Sequence, residues 1–240
     1  MRTLRWSSRL HRWTALVVGV QVLLWIMGGL VMSAIPIERV RGEHKVAERP
    51  DPAFAPAGLL PLADAARAAS APTLSAVSLG TVLGQDVWRL TTPEGVVTVD
   101  ARSGAVLSPF GREAALAIAR ADYAGPGAPM VATLLTDPPP EYGRPGPVWR
   151  VRFDDAGATT LYVDPASGAV RARRSSTWRF YDFFWRLHVM DYDDGADFNS
   201  PLLVTAAGAS LLFAASGLVI LVIRTRRSVL AWPARRRAVS

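Results

Sequence analysis

Three histidines, twenty carboxylates and no cysteine are the groups from which this chain of 240 residues can build a reactive site. Without cysteine there are no thiolate nucleophiles, iron–sulfur ligands, cysteine zinc sites or disulfides. His188 lies in the stretch RLHVMDYDDGADFNSP (Arg186–Pro201), where Asp191, Asp193, Asp194 and Asp197 crowd together. Oxygen ligands this close have calcium-binding chemistry, but the order DYDDGADFN lacks the glutamate that closes a twelve-residue calcium loop. The stretch reads as a solvated acidic turn that leads into a helix, with Asn199 or Ser200 as cap and Pro201 in the first turn. His11 stands in RLHRW, and His44 in a charged, solvated linker. Gly-x-Ser-x-Gly, His-Glu-x-x-His and Gly-x-Gly-x-x-Gly are all missing, so no catalytic residue is assigned.

The elements that position these groups follow from the apolar pattern. Thr14–Ile35 is 22 residues without a charge and Ser200–Ile223 is 24. At about 1.5 Å per helical residue these lengths match a hydrocarbon core of roughly 30 Å, which predicts two transmembrane helices. The flanking tails carry ten arginines and no acid; all 20 acids lie in residues 36–199. Positive ends stay in the cytoplasm, so both termini are expected inside and residues 36–199 outside. The net charge of +7 therefore belongs to the tails and reports topology; a nucleic-acid partner is not expected. The first apolar run is too long for a cleaved signal peptide and is read as a retained anchor. Its helix offers Gly28 and Gly29, and the second Ala206, Ser210 and Ala214, small residues at helix-packing spacing.

The region between contains a repeat. VDARSGAVLS (Val99–Ser108) returns as VDPASGAVRA (Val163–Ala172), and DVWRL (Asp86–Leu90) as PVWRV (Pro147–Val151). An alanine-rich helical stretch precedes each pair, LADAARAAS and REAALAIARAD. Each unit reads helix, strand, strand, turn, strand, with Asp-x-x-Ser-Gly as the turn and Gly104 or Gly168 at positive φ. The Pro/Gly-rich TDPPPEYGRPGP (136–147) reads as a loop between the first two strands of the second unit. WRFYDFFWRLHVMDY (Trp178–Tyr192) places Phe180, Phe183, Phe184 and Leu187 on one helical face, as expected of a helix at the outer membrane interface; the alternative is a core helix.

The repeated VD-x-x-SGAV segments, each following a helix and strands, resemble the PepSY domain. The ends, LHRWTALVVGVQVLLWIMGGLVMS and FFWRLHVMDYDDGADFNSPLLVTAAGASLLFAASGLVIL, resemble those of PepSY-associated membrane proteins. The expected fold class is α+β: two transmembrane helices flanking a periplasmic tandem PepSY-like domain. The expected order is cytoplasmic N-terminus 1–13, transmembrane helix 14–35, linker 36–57, first unit 58–109, second unit 110–177, interfacial helix and acidic turn 178–199, transmembrane helix 200–223 and basic tail 224–240. The resemblance implies an inner-membrane, non-catalytic accessory or binding role in an envelope process, iron or siderophore uptake being the setting. It also implies two alternatives: a haem-binding electron-transfer subunit related to ferric-siderophore reductases, and a protease inhibitor or modulator. Beyond the lipid bilayer, the partner is expected to be a membrane or periplasmic protein or a second copy of the chain. In the haem reading His11 and His188 are the cofactor-binding residues. They stand about a membrane thickness apart, so a bis-histidine haem needs a pair drawn from two chains or a partner's histidine. In the other reading both are interfacial polar residues beside Trp13 and Trp185.

Overall fold

The structure is a computed structural model that describes residues 2–48, 53–193, 197 and 199–237. The chain divides into two compact units, one formed by Met1–Ala34 with Asp182–Ser240 and the other by Ile35–Tyr181. The fold class is α+β, with antiparallel sheets.

In the helical unit, α1 (Arg2–Ala34) runs without a break until Pro36, which has no N–H to continue the ladder. Its segment Ala15–Ala34 is long and apolar enough to cross a membrane. A second long helix, α6 (Pro201–Arg237), starts at the expected cap: the Ser200 hydroxyl accepts the Leu203 N–H at 3.2 Å, and Pro201 takes the first helical position. The helix α5 (Ser176–Val189) contains the division between the two units, which falls between Tyr181 and Asp182.

The sheet unit begins with α2 (Ile37–Arg41) and a 3-10 turn at Glu43–Lys45. The stretch 36–57, read as a linker, is therefore partly structured. Val46 bridges Tyr123, the Ala47 N–H bonds to the Asp122 carbonyl, and the Ala124 N–H to the Lys45 carbonyl. There follow α3 (Leu62–Ala68) and a sheet of β1 (Ala76–Val82), β2 (Gln85–Thr92) and β3 (Gly95–Asp100) in sequential order. Then come α4 (Arg112–Asp122) and a second sheet of β4 (Pro129–Leu135), β5 (Val148–Phe153), β6 (Thr160–Val163) and β7 (Val170–Arg174), again in sequential order. Residues 136–147 connect β4 to β5, as their Pro/Gly content predicts.

Each half thus holds a helix and three strands before the repeated turn, one strand more than the sequence pattern displays. After the turn the halves differ. The second continues into β7, whereas the first makes only a Val99–Val106 bridge before Pro109, which cannot donate to a ladder. The turns themselves are built alike. The Asp100 carboxylate accepts the N–H groups of Arg102 and Ser103, and the Gly104 N–H returns to the Asp100 carbonyl. The Asp164 carboxylate accepts the Ala166 N–H and the Ser167 hydroxyl, and the Gly168 N–H returns to the Asp164 carbonyl. Gly104 and Gly168 sit at φ 79° and 66°, where a side chain would be strained.

A further equivalence ties each sheet to its own helix. Trp88 donates its indole N–H to the Leu60 carbonyl, ahead of α3, and Trp149 donates to the Phe110 carbonyl, ahead of α4. The N–H groups of Leu60 and Phe110 in turn bond to the carbonyls of Ala101 and Pro165, the residues that follow the two turn aspartates. The main core joins the halves: Val82 and Val87 of the first sheet cluster with Phe110, Ile118 of α4, and Val151, Leu161 and Val163 of the second.

Candidate functional site

His188 lies in the helical unit, where α5 approaches α1. Its Nδ1 is 3.2 Å from the Trp25 carbonyl oxygen. Gly28 permits that approach, since a Cβ there would meet both the His188 Cβ and the Phe184 carbonyl oxygen at 3.3 Å. A carbonyl only accepts, so as a hydrogen bond this contact requires the proton on Nδ1; in the neutral ring the lone pair is then on Nε2. His11 belongs to α1, fourteen residues before Trp25, roughly 21 Å along the axis. The fold therefore does not gather His11 and His188. His44 is exposed on the 3-10 turn.

The acidic turn serves the backbone. The Asp191 carboxylate accepts the N–H groups of Asp193 and Asp197, and the Asp197 carboxylate accepts that of Asn199. Asp194 lies outside the described residues. Among the described residues no three His, Asp or Glu side chains converge as a metal ion requires. Between α1, Met190 and α6 is a cleft of about 560 Å³, lined by Leu16, Val17, Gln21, Met190, Ala206 and Ser210. Gln21 Nε2 and Trp25 Nε1 are buried without a hydrogen-bond partner among the described residues. Neither is ionisable, so a search of the sequence for charges inside the apolar run passes over both.

The sheet unit carries two polar clusters that the sequence does not announce. In the first, the buried Asp155 carboxylate accepts from the Tyr123 hydroxyl at 2.5 Å, the Thr159 hydroxyl at 2.7 Å and Lys45 Nζ at 3.2 Å. Burial opposes ionisation of Asp155, but the bonds from Thr159, Tyr123 and Lys45 outweigh it and hold its pKa at about 2. This cluster fastens the entering segment to the second repeat. In the second cluster, Glu141 of the Pro-rich loop accepts from the Tyr162 hydroxyl at 2.5 Å and from Arg179 Nε at 2.9 Å. Burial raises the Tyr162 pKa above its ordinary value, and the bond to Glu141 raises it further. Arg174 bonds to the Glu141 carbonyl and stacks on Trp178, 4.2 Å from the ring.

The sharpest asymmetry concerns the arginine of the repeated Val-Trp-Arg. Arg89 and Arg150 occupy equivalent places on β2 and β5, on the sheet face away from the repeat's own helix. Arg89 donates from Nε to the Ser167 carbonyl at 3.1 Å and from Nη2 to the Thr81 carbonyl at 3.2 Å. Beside it Thr98, opposite Arg89 in the register, donates to the Ala166 carbonyl at 2.7 Å. The first sheet's outer face is thus closed by the second repeat's turn. The Arg150 side chain has no hydrogen bond or ion pair among the described residues, and its Nε is buried. One cause is local. Gly80, opposite Val87, leaves room for the Arg89 guanidinium, with which a Cβ there would collide. The equivalent position opposite Val148 is Leu135, which fills that space and packs beside Tyr142 and Tyr162.

The chain thus combines a twice-used helix-and-sheet unit with a helix long and apolar enough to cross a membrane. The model of one family, the PepSY-associated TM region, matches residues 8–240, and the chain belongs to that family. It is a membrane protein in contact with the lipid bilayer. No curated protein and no solved structure matches the chain.

Proposed function

We propose that this is a two-pass protein of the bacterial inner membrane that presents Ile35–Tyr181 to the periplasm as two PepSY-like domains. Its role is non-catalytic binding in an envelope process, with iron uptake as the setting that the family resemblance implies. The observation that carries the topology is the charge distribution: ten arginines and no acid flank the apolar stretches at the two ends. The compact unit Ile35–Tyr181 between them supports a domain held by both of its chain ends. Alkaline phosphatase fused after Gly127 is expected to be active, and a fusion after Ser240 inactive; the reverse pattern overturns the proposal.

The second reading, a haem-binding subunit, draws on the Nδ1 contact of His188 with the Trp25 carbonyl. That contact leaves Nε2 in the form an axial ligand needs. His11 and His188 of one chain do not fit a single iron, so the second ligand must come from another His188 or from a partner. A bound haem would supply one-electron transfer. This reading requires a Soret band in the purified protein that disappears in His188→Ala.

A further inference from the structure

We propose that the outer face of the second sheet, at Arg150, Arg152 and Thr133, is a binding site for a phosphate group. Arg150 and Arg152 stand two residues apart on β5, so both side chains leave the same face with Cα atoms about 7 Å apart. Thr133 of β4 lies directly opposite Arg150 in the register and is exposed. Among the described residues neither arginine side chain makes a hydrogen bond or ion pair, and the Arg150 Nε is buried. The nearby carboxylate, Glu141, is already committed to Tyr162 and Arg179.

The first repeat shows what this position requires. Its equivalent guanidinium, Arg89, is satisfied by the Ser167 carbonyl, which the second repeat brings to it, and by the Thr81 carbonyl of its own sheet. Among the described residues no third repeat does the same for Arg150, and Leu135 occupies the position where Gly80 leaves room for Arg89. The Pro-rich loop covers one end of this face, where Tyr142 clusters with Val148, Tyr162 and Ala172 and Leu135 packs beside them. Further along β4 and β5, Thr133 and Arg152 are exposed. Two guanidinium forks and a hydroxyl suit the anionic oxygens of a tetrahedral phosphate. A half-buried donor without an acceptor costs stability in the free protein, and a ligand oxygen removes that cost.

The phosphate can be free, carried on a soluble metabolite, or part of a lipid headgroup. The site deepens the binding role proposed above and rests on it, but its test does not depend on topology. Full-length protein in phosphatidylcholine nanodiscs is titrated with inorganic phosphate by calorimetry, and its thermal unfolding is compared in phosphatidylcholine and phosphatidylglycerol nanodiscs. Saturable phosphate binding identifies a soluble ligand; a rise in Tm confined to phosphatidylglycerol identifies a headgroup. In either arm Arg150→Gln is expected to weaken the effect at least about tenfold and Arg152→Gln at least about threefold. Arg112→Gln, an exposed arginine at the start of α4, should leave it unchanged. Arg152→Gln carries the test if Arg150→Gln fails to fold. Wild-type protein that responds in neither arm overturns the site, as do arginine variants that respond like wild type. A wrong topology in the fusion assay beside intact phosphate binding would sink the periplasmic role and leave the site standing.

Discussion

The two repeats share a helix, three strands, a tryptophan bonded ahead of the helix and an Asp-x-x-Ser-Gly turn, yet they meet their surroundings differently. The outer face of the first is closed by the second repeat's turn, which takes up Arg89 and Thr98. On the equivalent face of the second, a Pro-rich loop covers Val148, Tyr162 and Ala172, and among the described residues the buried Arg150 Nε has no acceptor. Stacked repeats need a cap at the end of the array. Here the cap is incomplete at the arginine, and an incomplete cap is where a ligand can act.

The largest effect is expected at the core that the two halves share. Leu161 is fully buried in the cluster that Val82 and Val87 of the first sheet also enter. Leu161→Ala is expected to cost about 3 kcal/mol. If the halves are one cooperative body, denaturant unfolding of the variant stays a single transition in tryptophan fluorescence and circular dichroism. Two separated transitions would show that the repeats are energetically independent.

Acid should single out the second repeat. The folded pKa of Asp155, about 2, lies below the ordinary 3.8. A depressed carboxylate stabilises the fold fully above the unfolded pKa and loses that contribution as pH falls through the folded one. The contribution is about 2 kcal/mol near neutrality and fades between about pH 4 and 2. The stability gap between wild type and Asp155→Asn, measured by urea unfolding, should therefore shrink across that window. At the corresponding turn of the first repeat, Thr92 accepts the Glu94 N–H without a charge, so Thr92→Val should show no such pH dependence.

The arginine pair gives the most direct contrast. Arg89→Met leaves the buried Ser167 carbonyl without its donor and should lower stability by about 1.5 kcal/mol. Arg150→Met removes an unpartnered donor, so in the absence of anion it should leave Tm unchanged or raise it. Equal losses from both would mean that Arg150 has an acceptor in solution. The smallest effects belong to the tryptophans. Trp88→Phe and Trp149→Phe each delete one indole bond and should each cost about 1 kcal/mol, alike in the two repeats.

Much of the repeat was legible because its signals are local. The Asp-x-x-Ser-Gly turns, the loop at 136–147, α4, and the Ser200–Pro201 helix start all rest on residues within a few positions of one another. What stayed hidden depends on distant partners. Nothing near Trp88 announces that its N–H reaches the Leu60 carbonyl, 28 residues back. Nothing near Arg89 announces Ser167, 78 residues on. Lys45 sits in a charged stretch that resembles a solvated linker, and only the fold brings it to Asp155, 110 residues away. The candidate site was missed for a similar reason. The alternation in VWRVRF reads as strand and places Arg150 and Arg152 on one face, but whether that face has partners is decided by the neighbouring repeat and by the difference between Gly80 and Leu135. For the histidines, nothing in the sequence signals that His188 reaches a backbone carbonyl of α1.

The attachment of both chain ends of the sheet unit to the second repeat sets a path for mechanical load. Tension entering at Ile35 meets the Val46–Tyr123 bridge and the Lys45–Asp155 ion pair. Tension at the other end meets β7 and the bond from the Ser176 N–H to the Gly157 carbonyl. A pull between the ends is therefore borne by the second repeat, and the first hangs outside the strained circuit until those fastenings give way. Their failure would transfer the pull to residues 49–109, turning the first repeat from a passenger into the next link to extend.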